Sequence, residues 1–385
     1  MQYIRLGDIA SIAAGQGAPQ GAENYSEYGT PFVKAGNLAE LTSGTSEDAI
    51  QKVSDEVAAK HKLKIFPQGT VLFAKSGMSC MKGYVYTLSR DCYVVSHLAC
   101  ITPHTVESEY LKYYFEFHRP NQLVKDAAYP SISLSDIAEL PIAVFDQEKR
   151  QEIIRNLDVV SGLIEKKQQI LSLMDLAVKS RFIELFGDPI ANQFGWDTTN
   201  IGAIVTEVRY GTSRPAVENG KYPYLRMNNL TFDGHLDLKD LKRIDIPEEE
   251  IEKCIVRKGD VLFNRTNSVE LVGKTCVFDL DEEMVIAGYI IRVRLGQKMI
   301  PTVFSAFMNS QPIKELLRGM AKGAVNQANI NAQELQSIRI YLPPIDLQEQ
   351  FAAFVEQTDK SKLAVQKALE ELEILKKSLM QQYFG

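Results

Sequence analysis

Ile132-Ser133-Leu134-Ser135-Asp136-Ile137 and Ile330-Asn331-Ala332-Gln333-Glu334-Leu335 decide the organisation of this 385-residue chain, because the second stretch repeats the first 198 residues on (132 to 330). Both carry a capping-box pattern, Ser133-x-x-Asp136 and Asn331-x-x-Glu334, which predicts the start of a short helix. Each leads into a strand-like piece, Leu140-Pro141-Ile142-Ala143-Val144-Phe145-Asp146 and Ile340-Tyr341-Leu342-Pro343-Pro344-Ile345-Asp346. Each then enters a long helical pattern, and these close on Leu185-Phe186-Gly187 and Tyr383-Phe384-Gly385, again 198 apart. Upstream, Leu6-Gly7-Asp8-Ile9 corresponds to Ile201-Gly202-Ala203-Ile204, residues 28–38 to 220–230, and Gly69-Thr70-Val71-Leu72-Phe73 to Gly259-Asp260-Val261-Leu262-Phe263. A period of about 200 residues is too long for a solenoid and implies a duplicated unit of globular domain plus helix. The shared positions are turn glycines, apolar strand residues and caps, whereas the segments between them differ almost completely. One scaffold with two surfaces implies one task performed on two targets. The plainer alternative is a duplication that only enlarges the protein.

The first long pattern places Ile153, Leu157, Val160, Ile164, Leu171, Met174, Val178, Phe182 and Leu185 on one face, with Gln168 filling the one gap. It predicts an amphipathic helix whose stripe spans roughly 50 Å. The second repeats the form with Phe351, Phe354, Thr358, Ser361, Val365, Leu369, Leu372, Leu375, Leu379 and Tyr383, weakened early by Thr358 and Ser361. Neither helix buries a narrow stripe alone, and the simplest partner for each is the other. The expected fold class is therefore α+β. Two mixed α/β domains, residues 1–145 and 188–344, are separated by a long antiparallel two-helix coiled coil formed from 146–187 and 345–385, with a pseudo-twofold internal repeat. The competing expectation is that each helix packs on its own domain.

Hydrophobic residues make up 45% and charged residues 24% of the chain, ordinary globular values, and the length exceeds what one core organises. No apolar run reaches the roughly 18 residues of a membrane span, and the first residues lack the layout of a signal peptide, so a cytoplasmic protein without membrane contact is expected. Cys80, Cys92, Cys100, Cys254 and Cys276 form no Cys-x-x-Cys pair. Their irregular spacing fits reduced thiols, mostly buried in strands, better than disulfides or zinc. The net charge of −6 is unusual for a lone DNA binder. Any DNA contact then falls to local basic loops or to a partner's positive surface.

Polar, glycine-bearing loops follow the strand signals. In the first copy they present Gln16, Lys34, Asn37, Lys75, Ser76 and Lys82. In the second they present Arg209, Tyr210, Thr212, Ser213 and Arg214, then Arg226, Asn228 and Asn229, then Asn264, Arg265, Thr266, Asn267 and Lys274, and finally Lys322. Arg and Asn pair bidentately with guanine and adenine edges, while Lys, Ser and Thr suit phosphates. Any one such loop reads as a solvated turn; their recurrence at equivalent places favours DNA contact.

Other signals are set aside. Ser268-Val269-Glu270-Leu271-Val272-Gly273-Lys274-Thr275 is one residue short of a phosphate-binding loop and leads into a strand rather than a helix. No Asp-Pro-Pro-Tyr-like methyltransferase segment occurs. The five histidines show no ligand spacing, and His97, in an apolar stretch, reads as a core residue. Glu248-Glu249-Glu250 reads as a solvated charge run. Nothing assembles into a catalytic site or a metal site.

Two variable domains, each followed by a Leu-Pro segment and a long helix with a Gln-Glu-rich start, resemble the specificity subunits of type I restriction–modification systems. Leu342-Pro343-Pro344-Ile345-Asp346-Leu347-Gln348-Glu349-Gln350 and Gly259-Asp260-Val261-Leu262-Phe263-Asn264-Arg265-Thr266-Asn267-Ser268 carry the resemblance most closely. The first copy departs from it, with Phe145-Asp146-Gln147-Glu148 lacking the double proline and Lys75-Ser76-Gly77 replacing the Asn-Arg-Thr loop. The resemblance implies a non-catalytic chain whose two target-recognition domains read the halves of a split, asymmetric site in double-stranded DNA. It implies helices that set the unread spacer and dock two modification subunits, with restriction and motor subunits joining them. It places S-adenosylmethionine, ATP and magnesium on those partners and no cofactor on this chain. The rival classes are a duplicated protein-binding scaffold, a methyltransferase carrying its own recognition domains, and the specificity subunit of a related methylation-only phage-defence system.

Overall fold

The computed structural model describes residues 2–321 and 328–385. The chain divides into two compact units, Met1–Lys167 with Ala368–Gly385, and Gln168–Lys367.

In the first unit a four-stranded antiparallel sheet runs Ala10–Ala14, Leu98–Pro103, Val71–Ala74, Val85–Thr87. Its central strands are buried on both faces, which is why they read as unbroken apolar runs. Alternation with period two sends Val71, Phe73, Ala99 and Ile101 into a core shared with the helix Ser108–Phe117. It sends Leu72, Ala74, Leu98 and Cys100 to the opposite core, shared with Phe32, Val33 and Val94 of a smaller sheet. In that sheet Thr30–Val33 pairs parallel with Tyr93–Val94 and antiparallel with Lys52–Val53. A separate ribbon joins Gln2–Arg5 to Pro141–Val144.

The second unit has the same strand order. Val205–Tyr210, Ile290–Leu295, Val261–Asn264 and Thr275–Val277 form one sheet. Lys242–Ile244, Tyr222–Leu225, Met284–Ile286 and Ile255–Val256 form another. Asp197–Asn200 pairs with Arg339–Leu342 as the ribbon. The predicted helix starts are present. Ser133 Oγ accepts from the Asp136 N–H at 3.0 Å. At Asn331 the box is complete, Oδ1 accepting from Glu334 N–H at 2.9 Å and Glu334 Oε2 from Asn331 N–H at 2.8 Å. Asp136, one methylene shorter than Glu334, instead accepts from Lys125 Nζ at 2.8 Å.

Two 40-residue helices span Gln147–Phe186 and Ile345–Phe384. Within the first unit, Ile153 and Leu157 share a core with Met380, Tyr383 and Phe384, and Asn156 Nδ2 donates to Tyr383 Oη at 2.9 Å. Within the second, Phe182, Phe186 and Phe351 stack edge to face with centroids 5.1–5.6 Å apart, and Lys362 Nζ lies 2.6 Å from Asp175. In each unit the start of one helix thus faces the end of the other, and both helix ends also enter the domain core. Leu375, expected on the buried stripe, is exposed, while Met380 and Phe384 are buried. The final turns pack round Tyr110, Tyr114 and Phe117, which rotates the buried face. Val159, Leu173, Leu176, Leu363 and Ile374 stay exposed on the helices.

All five cysteines are buried, free thiols. Cys100 and Cys276 lie on strands, but Cys80 and Cys254 lie on helical turns, so the expected strand placement holds only in part. Among the described residues no helix is long and apolar enough to cross a membrane.

Candidate nucleic-acid interface

The candidate loops lie at one edge of each unit for a topological reason. Ala10–Ala14 and Val71–Ala74 both run antiparallel to Leu98–Pro103, so both end where that strand begins. Gln16 then bridges in parallel to Val95, and the Val95 N–H donates to Val33 O at 2.9 Å. In the second unit Thr212 bridges Ala287, and the Ala287 N–H donates to Leu225 O at 2.9 Å. The crossing is tight: a Cβ at Gly15 would sit 2.2 Å from Val95 O, and one at Gly211 would sit 2.2 Å from Ile286 O. Only glycine fits either place.

Each loop cluster has a supporting layer formed by residues expected to touch DNA. Asn37 Oδ1 accepts from Lys34 N–H at 2.9 Å and Asn229 Oδ1 from Arg226 N–H at 2.8 Å. Asn229 is buried, its amide donating to Asp237 O. Asn264 is fully buried and donates to Thr266 O and Tyr289 O, both at 3.1 Å. Buried Thr266 donates to Asn329 Oδ1 at 2.8 Å, and Asn267 Nδ2 to Asn264 Oδ1 at 2.8 Å. The Gln16 side chain holds Lys62 O and the Lys64 N–H. Lys274 is buried, its Nζ donating to Leu230 O at 2.9 Å and Met227 O at 3.3 Å, and burial lowers its pKa. Groups whose polar atoms already satisfy buried backbone hold loops in shape rather than face a ligand. Asn229, Asn264, Thr266 and Lys274 are therefore corrected from contact to supporting residues.

The remaining candidates face outward to different degrees. Lys82, Ser213 and Asn228 are exposed. Thr212 Oγ1 accepts from the Arg214 N–H at 3.2 Å. Lys34 Nζ stands 4.0 Å over the Tyr25 ring and donates to Gln51 Oε1 at 2.7 Å. Three arginines have carboxylate partners: Arg209 pairs with Glu207 at 3.2 Å, Arg214 with Glu250 at 2.7 Å and Arg226 with Asp240 at 2.7 Å. Arg265 is half-buried over the Tyr210 ring, 4.9 Å from its centroid. Lys322 lies outside the described residues.

His97 and Tyr289 also stand beside these loops, their carbonyls accepting from the Lys75 and Arg265 N–H groups. His97 is exposed on the turn that starts Leu98–Pro103, its Nδ1 2.8 Å from Ser76 Oγ. The apolar residues on either side belong to two strands that the turn separates, so the core assignment is corrected. Tyr289 is half exposed at the equivalent turn. Aligning the two copies at Leu98 and Ile290 finds both residues.

Below the second cluster, Lys314 is buried with its Nζ donating to Gly273 O at 2.9 Å, and burial, with Arg318 and Lys274 nearby, pushes it down to about 7. Arg292 is fully buried, paired with Glu207 at 2.8 Å. Burial opposes ionisation of Glu207, but Arg292 and Arg294 outweigh it and hold the carboxyl below its ordinary range. Asp175, Asp233 and His235 bring one ligand atom each within 4.8 Å of one another, and Lys362 already supplies positive charge there.

These features define a protein with two α+β units of one topology, each presenting a loop cluster of its own chemistry. The chain belongs to the type I restriction–modification DNA specificity family: the model of the type I restriction modification DNA specificity domain matches residues 1–173 and again 196–374. This is the family that its motifs resemble. Curated relatives include the putative type I restriction enzyme MjaX specificity subunit of Methanocaldococcus jannaschii, 28% identical over 49% of this chain and 45% of that protein. The type I restriction enzyme EcoKI specificity subunit of Escherichia coli K12 is 25% identical over 68% and 59%. The chain thus spans about half the length of the curated relatives it matches. Its fold is shared with the crystal structure of the type I system S subunit from M. genitalium, with a TM-score of 0.59, 14% identity and coverage of 100% and 96%. A chain from a structure addressing complex assembly and conformational transition of the type I system gives 0.52, 17%, and 100% and 97%.

Proposed function

We propose that the chain is a non-catalytic reader of duplex DNA, with target-recognition domains over 1–145 and 188–344 that each read one half of a split, asymmetric site. The helices over 146–187 and 345–385 act as an antiparallel coiled coil that sets the unread spacer. Contacts of both helices within each unit support this reading. The exposed apolar residues Val159, Leu173, Leu176, Leu363 and Ile374 offer a docking face for two modification subunits, to which restriction and motor subunits are added. S-adenosylmethionine, ATP and magnesium act on those partners, and partner surface that meets DNA phosphates offsets the acidic charge of this chain.

One observation carries the reading: the same backbone crossing, at Gly15 and at Gly211, presents different side chains in the two units. The test is methylation-site mapping by single-molecule sequencing in cells expressing the chain with its modification subunit. A split motif that needs both proteins is expected. Absence of any motif beside a demonstrably active modification subunit favours the protein-binding scaffold.

A further inference from the structure

Arg265 and Lys75 occupy the same place in the two units. The Arg265 N–H donates to Tyr289 O at 2.9 Å and its carbonyl accepts from Ile330 N–H at 2.9 Å. The Lys75 N–H donates to His97 O at 2.9 Å and its carbonyl accepts from Ile132 N–H at 2.8 Å. Each is the first residue past the second-to-edge strand of its sheet, and each is half-buried. Both long side chains are fixed at the root by backbone hydrogen bonds on either side, and the surrounding side chains differ.

Arg265 differs in its pairing from the other arginines of its cluster. Arg209, Arg214 and Arg226 each have a carboxylate partner. Among the described residues Arg265 has none. Its Nη1 makes one long bond to Gly288 O at 3.4 Å, and its buried Nε has no partner among the described residues. The guanidinium instead lies over Tyr210, whose hydroxyl accepts from the Ala332 N–H at 2.8 Å, which anchors the ring from its far side. A planar cation stacked on a fixed ring loses little side-chain freedom on binding. Among the described residues its donors have no ion pair to break.

We infer that Arg265 reads a guanine in the half-site of the second domain and that Tyr210 is the positioning residue that fixes its guanidinium. The fork of an arginine matches guanine O6 and N7 in the major groove, and among the described residues Arg265 has no carboxylate to give up in making that contact. The first unit supplies the contrast, with Ala14 at the place of Tyr210 and a lysine at the place of Arg265. The inference rests on the DNA-reading function proposed above.

The test uses the full chain assembled with its modification subunits. Its affinity is measured on the mapped duplex, on duplexes with each second-half guanine replaced, and on unrelated DNA, with thermal denaturation of every variant. Arg265→Ala and Arg265→Lys are expected to lose roughly 10- to 100-fold preference at one guanine, leaving binding to unrelated DNA nearly unchanged for Arg265→Lys. Tyr210→Ala is expected to lose several-fold of the same preference, and Tyr210→Phe, which keeps the ring but loses its hydroxyl anchor, to lose less. A second half-site without guanine, or equal weakening on all DNA, overturns the assignment of Arg265. Equal behaviour of Tyr210→Ala and Tyr210→Phe overturns the positioning role. A wild-type complex without any mapped motif instead overturns the DNA-reading function itself.

Discussion

Lys314 shows what a single buried charge does to the stability of the second unit. Its folded pKa lies well below that of an unfolded lysine, so between pH 7 and about 10 the unfolded chain binds the extra proton. Stability of the second unit therefore rises as pH climbs through that window, and below pH 7 the full penalty of burying the charge remains. Lys314→Met is expected to raise stability at pH 6 by about 1–3 kcal/mol and to show a smaller gain at pH 9, as read by thermal denaturation at both values. Lys274, shifted in the same direction, keeps part of the slope in the variant. Glu207→Gln acts in the other direction, because it leaves the fully buried Arg292 without its carboxylate; a loss of about 3–5 kcal/mol is expected in denaturant titration. Residue types were legible in the sequence, but their facing was not. Asn228 and Asn229 are adjacent and of one type, yet one is exposed and the other is a buried brace. The deciding fact is which of them closes a hydrogen bond to Arg226, and that depends on a turn conformation the sequence does not spell out.

At the level of elements, periodicity carried most of the information. The stripe from Ile153 to Leu185 is buried or half-buried at every apolar position named, because a 3.6-residue period has one physical solution. The stripe of the second helix departs at Leu375, towards its C-terminal end, where aromatic residues of the first unit capture Phe384. Phe351→Ala removes one ring of a three-ring stack and is expected to destabilise the second unit by about 3–5 kcal/mol, measured by chemical denaturation. Deleting seven residues from each helix removes about 10 Å. The mapped spacer should then shorten by about three base pairs at 3.4 Å each; an unchanged spacer refutes the ruler. Leu173→Glu with Leu176→Glu changes only exposed positions. The pair is expected to weaken modification-subunit binding at least 10-fold in titration calorimetry, with unchanged helicity by circular dichroism.

Over the whole molecule, the duplication was legible because turns and caps tolerate so few residue types. Gly15 and Gly211 are kept by a crossing that admits no Cβ, whereas Lys75 and Arg265 share a backbone place and differ in chemistry. The loop surfaces were not legible, since what a loop presents depends on which neighbour neutralises or stacks on it. Exchanging residues 190–340 for those of a relative is expected to change one half of the mapped motif and leave the other half intact. The thiols carry a practical consequence of their own. Burial pushes Cys92 up to about 12 and raises the other four as well, and nucleophilic attack needs the thiolate. A maleimide dye added to the native protein therefore finds no ready target. One cysteine placed at exposed Lys82 or Asn228 becomes a unique attachment point for fluorescence distance measurements, with all five natural cysteines left in place.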